Sequence, residues 1–383
     1  MPPEVTRFST TKGWPSSAES AGATMRATRS LPPPGLAGTT MRTGFDGYCA
    51  AASPNAKMAA AASTMRFALT TLIIACLFPA ARAQDYPARP VRMVVPIGPG
   101  GGTDILARQV AAKLSERLRQ PVVVENRPGA GSLVGTDHVA KSPADGYTLL
   151  VGGIFNMVMN QALLKNLPYD AARDFVPLGY LSAYPFVLVA RVDLPAADLA
   201  QFVQFARRQA GRLNYGSAGL GTLQHVWGTI LFKSLGLDLV HVPFKAAPAA
   251  HQEMLAGRLD VMFDNLSAVK PHLQAGRLKA YAVSSAQRSA QLPTVPTVRE
   301  TGVADFEGES WFGVFAPRGI PPQAAAVMSG ALAVVVRDAE FVARVDADGG
   351  RVLSLAPASY DAFLQGEIRR WTALVGAYGV SAE

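Results

Sequence analysis

The sequence has almost no cysteine: two in 383 residues, Cys49 and Cys76. Both precede Ala83, so a chain processed there carries none, which rules out disulfides and thiolate metal sites in the processed protein. The five histidines (His138, His225, His241, His251, His272) show no zinc-ligand spacing. No Lys/Arg stripe with interleaved aromatics is present, so nucleic acid is not an expected partner. No G-x-x-x-x-G-K-[ST] occurs, and no repeat of fixed period. Gly129-x-Gly131-x-x-x-Gly135 is a faint echo of a dinucleotide turn, but no acidic residue stands at a convincing ribose position. Ser217 lacks a nucleophile elbow, because Tyr215 stands where glycine is needed. No catalytic residue, metal or cofactor is assigned.

Positive charge is a feature of the leader. The whole chain is +8, but residues 1–83 hold eight Lys/Arg and three acids, leaving 28 and 25, a net +3. Residues 1–64 are rich in Ala, Pro, Ser, Thr and Gly with no apolar periodicity, and cannot bury enough apolar surface to fold. Met65-Arg66, the apolar run Phe67–Ala80 and Ala81-Arg82-Ala83 form a three-part secretory signal whose core is too short to span a bilayer. Gln84-Asp85-Tyr86-Pro87 ends any helix there. The expectation is a start at Met65, cleavage after Ala83, and a non-native or disordered extension over 1–64. Ile73-Ile74-Ala75-Cys76 offers the alternative of lipid attachment at Cys76.

From residue 84 the chain is long enough for two packed α/β domains. Val91 to Ile97 reads as a strand ended by Gly98-Pro99-Gly100-Gly101-Gly102. Thr103 to Leu118 has helical spacing, with Thr103 as N-cap and Asp104 complementing the helix dipole. Val122–Val124 and Tyr147–Gly152 are further strands. Such alternation of apolar strands and helices predicts a parallel sheet covered on both faces. A second unit follows: strand Phe186–Val189, helix Leu199–Arg208, strand Leu213–Ser217, the turn Ala218–Thr222 and a helix from Leu223 to Leu235. Strands over Leu239–Val242, Val261–Phe263, Ala280–Val283 and Trp311–Ala316 precede a helical C-terminal portion. Two units joined by passing strands predict a hinged pair: residues 84–189 with 310–383, and residues 190–309.

These residues also carry a resemblance. Tyr86-Pro87-x-x-Pro90-Val91-Arg92, Pro99-Gly100-Gly101-Gly102-Thr103-Asp104, Val122 to Gly131 (VVVENRPGAG) and Asp145-Gly146-Tyr147-Thr148-Leu149 resemble the tripartite tricarboxylate transporter substrate-binding family, the Bug receptors. Leu167-Pro168-Tyr169-Asp170, Asn214 to Gly219, His241-Val242-Pro243-Phe244-Lys245, Phe263-Asp264-Asn265 and Ser310-Trp311-Phe312-Gly313 continue it in order. The resemblance implies a two-lobed, type II-like periplasmic binding protein with mixed sheets, flanking helices and a ligand cleft between lobes. It implies a monomeric periplasmic receptor that delivers a small carboxylate-bearing solute to a membrane transporter. A secreted α/β enzyme is the alternative class.

A carboxylate can be held without a cation, because helix N-termini present unpaired N–H groups and a positive dipole end. Gly100, Gly101, Gly102, Thr103 and Asp104 open one helix; Ser217, Ala218, Gly219 and Thr222 precede another. Both can equally be ordinary strand-to-helix turns; the family resemblance favours the binding role. Asp264 is a candidate acceptor for a ligand amine or hydroxyl, or a local cap. Phe155 and Asn156 stand where the family often carries small hydroxyl residues, which suggests a more apolar or bulkier ligand end, or a repacked wall. Phe186 is either pocket wall or core. Ala246-Ala247 replaces the family's Gly-Gly, and Lys245 is not expected to touch the ligand.

Overall fold

A computed structural model describes residues 86–381. The proposed extension, secretory signal and both cysteines lie outside the described residues. The elements are β1 (Val91–Val95), α1 (Gly102–Leu118), β2 (Val122–Asn126), α2 (Leu133–Ala140), β3 (Thr148–Gly153), a π-turn (Phe155–Met159), α3 (Asn160–Leu163), α4 (Ala171–Asp174) and β4 (Phe175–Arg191). Then follow α5 (Leu199–Arg208), β5 (Asn214–Ser217), α6 (Leu223–Ser234), β6 (Val240–Pro243), α7 (Ala247–Leu255), β7 (Val261–Asn265), α8 (Leu266–Gln274) and β8 (Leu278–Val283). The chain closes with β9 (Glu309–Pro317), α9 (Pro322–Val335), α10 (Ala339–Ala347), β10 (Arg351–Val352) and α11 (Tyr360–Ala377).

The strands form one continuous mixed sheet in the order β2-β1-β3-β9-β4-β7-β5-β6. β1 is parallel to both β2 and β3, so the connections after these three strands leave the same edge. β5 is likewise parallel to β6 and β7. The long strand β4 belongs to both halves: Phe175–Pro185 pairs antiparallel with β9, and Phe186–Arg191 pairs with β7 and β8. Its register against β9 shifts after Pro177 and again after Tyr180. Proline removes a ladder donor, so such breaks are expected near it.

Two cores flank this sheet. One gathers β1 residues Val91, Met93 and Val95 with Leu106, Val110 and Leu114 of α1 and Met328 and Leu332 of α9. The other packs Val187 and Val189 against Met254, Met262 and Val269. Parallel strands covered on both faces demand such unbroken apolar runs. A third, aromatic group joins α6 to α11: Trp227 stacks on Trp371 with centroids 5.3 Å apart, and Phe186, Phe263 and Phe306 surround Trp227. Among the described residues no helix is long and apolar enough to cross a membrane.

Candidate functional site

The first glycine turn leaves the carboxyl end of β1. Gly100 adopts φ +84°, a left-handed conformation that favours glycine. α1 begins at Gly102 with Gly101 as N-cap, so Thr103 lies in the first turn and is not the cap expected from sequence. The difference traces to Asp104. Its Oδ2 accepts from Gly100 N at 2.9 Å and Arg108 Nε at 3.0 Å, and its Oδ1 accepts from Asn126 Nδ2 at 2.8 Å. These bonds, Arg108 foremost, hold the carboxyl at about 2. Asp104 is buried and engaged by the turn itself, which it folds tightly onto the helix start. Gly102 is exposed, and a Cβ placed on it would meet nothing within 4 Å.

β3 ends at the same edge. Asn156 accepts from Gly153 N at 2.9 Å and donates to Thr136 Oγ1 at 2.9 Å, so its buried amide ties β3 to α2. Phe155, beside it, is half-buried.

The second turn leaves β5. Ser217 is buried, and its Oγ lies 2.7 Å from His241 Nε2 and accepts from Gly219 N at 3.1 Å. Gly219 and Gly221 have φ of +122° and +73°. Thr222 donates its hydroxyl to Gly219 O at 2.7 Å and does not cap α6. Ala218, Gly219 and Thr222 are half-buried. Gly221 N donates to His225 Nδ1 at 3.2 Å, which fixes the proton of a neutral His225 on Nε2. His225 stacks on His241 with centroids 4.2 Å apart, and His241 stacks on Tyr215 at 4.8 Å. Burial, then the neighbouring His225, pushes His241 down to about 4; burial lowers His225 as well. Both imidazoles are therefore neutral at pH 7, and this turn offers an anion dipoles rather than a cation.

Asp264, at the end of β7, is 1% exposed. Its Oδ1 accepts from Gln224 Nε2 at 3.0 Å and Asn265 N at 2.8 Å, and its Oδ2 lies 2.8 Å from His251 Nε2. It thus bonds the first turn of α6 to β7 and α7. Phe186 is 1% exposed, with its ring 4.7 Å from that of Trp227, and it belongs to the aromatic core. Lys245 is exposed.

The structure brings Ser217, Ala218, Gly219 and Thr222 together around the start of α6, and Gly100–Asp104 around the start of α1. Sequence reasoning passed over His241 and Gln224. The signal for His241 is strand pairing: Tyr215 is registered against His241, which brings the His241 ring beside both Tyr215 and Ser217. Among the described residues no group of three or more His, Cys, Asp or Glu is placed to hold a metal ion.

A mixed sheet with flanking helices and glycine turns at the carboxyl ends of parallel strands is the architecture of the periplasmic binding proteins that this chain resembles in structure. Solved structures agree. The Rhodopseudomonas palustris protein Rpa4515, solved with adipate, is 33% identical with a TM-score of 0.69, covering 78% of this chain and 99% of that one. The periplasmic binding protein BugD is 33% identical with a TM-score of 0.66, covering 77% and 99%. MatC from R. palustris, solved with malate, is 33% identical with a TM-score of 0.66, covering 76% and 100%. Protein BugT of Bordetella pertussis is 34% identical over 78% of this chain and 91% of its own length. The profile described as tripartite tricarboxylate transporter family receptor matches residues 106–380. The chain belongs to this family, whose members are transport receptors and not enzymes.

Proposed function

We propose that the protein is an exported, periplasmic receptor that captures a small organic acid and presents it to the membrane subunits of a tripartite tricarboxylate-type transporter. The observation that carries this reading is the pair of glycine turns at the starts of α1 and α6. Gly98–Thr103 and Ser217–Thr222 contain no Lys or Arg, and the imidazoles beside the second are neutral. Main-chain N–H groups and helix dipoles then hold the carboxylate, with the Thr103 hydroxyl assisting, while the Ser217 and Thr222 hydroxyls are engaged within their own turn. The adipate and malate bound to relatives 33% identical to this chain support an acid as ligand. The buried network that occupies Asp264 favours an acid without an amine directed at that carboxylate.

The cleft lies between two lobes, 84–189 with 310–383 and 190–309. The hinge is the pair β4 and β9, near where β4 changes partners between Pro185 and Phe186. The secretory signal at 65–83 supplies export, and the receptor works as a monomer.

A thermal-shift series with adipate, malate, citrate, benzoate and glutamate tests the reading. An acid at about 100 times its dissociation constant adds roughly 2.7 kcal/mol of stability. A midpoint unchanged by all five contradicts it.

A further inference from the structure

A third turn stands at the same sheet edge. β2 ends at Asn126, and α2 starts at Leu133 after an exposed loop. Four successive residues of that loop have positive φ: Gly129 (140°), Ala130 (44°), Gly131 (61°) and Ser132 (72°). Two of them carry a Cβ, and such conformations persist only where the surroundings enforce them. Here the enforcement is visible. Asn160 Nδ2 donates to Gly131 O at 3.1 Å, and Thr136 donates to Ser132 O from its N at 3.2 Å and its Oγ1 at 2.8 Å. Asn156 in turn holds Thr136 Oγ1.

Ser132 is the N-cap residue of α2, yet its hydroxyl makes no capping bond. The reason is its backbone. A capping serine needs extended φ/ψ to reach back to the N–H groups of the first turn, and Ser132 is left-handed. The side chain is only 7% exposed and hydrogen-bonds to nothing among the described residues. In the first turn of α2, Leu133 N donates to Ala130 O at 3.2 Å, and no side chain caps the N–H groups of Val134 and Gly135.

The turn also borders the site. A Cβ on Gly135 would stand 2.8 Å from Pro96 Cα, so the helix start is pressed against the end of β1, just before the Gly98–Gly101 turn. A Cβ on Gly131 would stand 4.0 Å from Phe155 Cζ.

We propose that the Ser132 hydroxyl and the N–H groups of Val134 and Gly135 form a third ligand-contacting turn, which donates hydrogen bonds to an acceptor oxygen of the bound organic acid. The inference rests on the receptor reading above and adds a residue to it. Strain at Ser132 is kept because relief of it by glycine removes the hydroxyl.

Two glycine variants separate the hydroxyl from the backbone. Ser132→Gly and Ala130→Gly each relieve a left-handed non-glycine residue, so both should raise the melting temperature of the unliganded protein. Calorimetry is run with whichever of adipate, malate, citrate, benzoate and glutamate binds the unsubstituted protein. Ser132→Gly should weaken binding about five- to tenfold, the loss of one hydrogen bond, while Ala130→Gly stays within about twofold. Ser132→Ala should weaken binding as Ser132→Gly does, without the thermal gain. Retained affinity in Ser132→Gly, or an equal loss in both glycine variants, overturns the proposal and leaves the receptor reading intact. If none of the five acids binds the unsubstituted protein, the receptor reading fails and this proposal with it.

Discussion

The Ser217 hydroxyl and His241 Nε2 lie 2.7 Å apart beneath the turn that opens α6. The contact resembles half of a nucleophilic dyad but works as a brace. Ser217 is buried, its Oγ is shared with Gly219, and His241 is sandwiched between Tyr215 and His225. The imidazole stack, with the bonds from Gly219 N to Ser217 Oγ and from Gly221 N to His225 Nδ1, fixes the turn from below in one geometry.

Acid should loosen this brace. His241 titrates at about 4 in the folded protein against an ordinary 6.5, and His225, His138 and His272 are lowered too, chiefly by burial. A depressed histidine contributes stability that is complete above about 6.5 and is lost as pH falls toward the folded value. Urea unfolding should show stability falling between pH 6.5 and 4, with His241, whose contribution is reduced by its partial exposure, accounting for on the order of 2 kcal/mol. His241→Phe should flatten that slope. An unchanged slope in the variant would count against a neutral, buried His241.

Asp104 should matter to binding without touching the ligand. Asp104→Ala leaves Gly100 N and Asn126 Nδ2 without their acceptor. It should cost roughly 1–3 kcal/mol of stability, because hydrogen bonds to a charged acceptor are lost. Affinity for the acid should fall as the turn loosens, and Asp104→Asn should recover part of both losses. Denaturant titration beside calorimetry checks this; full affinity in Asp104→Ala would contradict the clamp.

Trp227 links α6 to the C-terminal helix α11. Its truncation to alanine removes the stack on Trp371 and the contact with Phe186. The expected cost is about 3–5 kcal/mol, with Trp227→Phe losing less. Urea midpoints of the two variants measure it, and a cost below about 1 kcal/mol in Trp227→Ala would show that α6 and α11 do not depend on the stack.

Closure about β4 and β9 should shrink the molecule. Small-angle scattering should record a smaller radius of gyration with saturating acid than without. An unchanged radius with an acid that demonstrably binds would argue against the hinge.

Much of the fold is legible in the sequence, because local pattern and final structure agree. The helix over Leu199–Arg208 is found at those bounds, since its apolar residues Leu199, Phe202, Val203 and Ala206 fall on one buried face. The first half of β4 is not legible. Pro177, Gly179 and Pro185 interrupt it, and it is kept as a strand by its pairing with β9, more than a hundred residues away. The π-turn after β3 is equally hidden, being an irregularity that Asn156 and Gly153 stabilise between them.

At the site, the glycine turns can be read from sequence because strand, glycine run and helix are contiguous. What lies beneath them cannot. The partners of Ser217 and Asp264 are His241, Gln224 and His251, brought together by parallel register and helix packing rather than by spacing. Asp104 illustrates the same point: its place at a helix start is legible, but its bonds to Gly100, Arg108 and Asn126 direct it into the turn.

The central claim is that main-chain N–H groups, not a cation, hold the carboxylate. Gly102 allows the most direct test, since it is exposed at the start of α1 and a Cβ there would meet nothing within 4 Å. Isothermal calorimetry on Gly102→Val and on Lys245→Gln, with the acid that shifts the melting temperature, measures it. The account predicts that Gly102→Val melts cooperatively yet loses at least about tenfold in affinity, more than 1.4 kcal/mol, while Lys245→Gln stays within about twofold. Retained binding in Gly102→Val together with loss in Lys245→Gln would contradict it and assign the carboxylate to an ion pair.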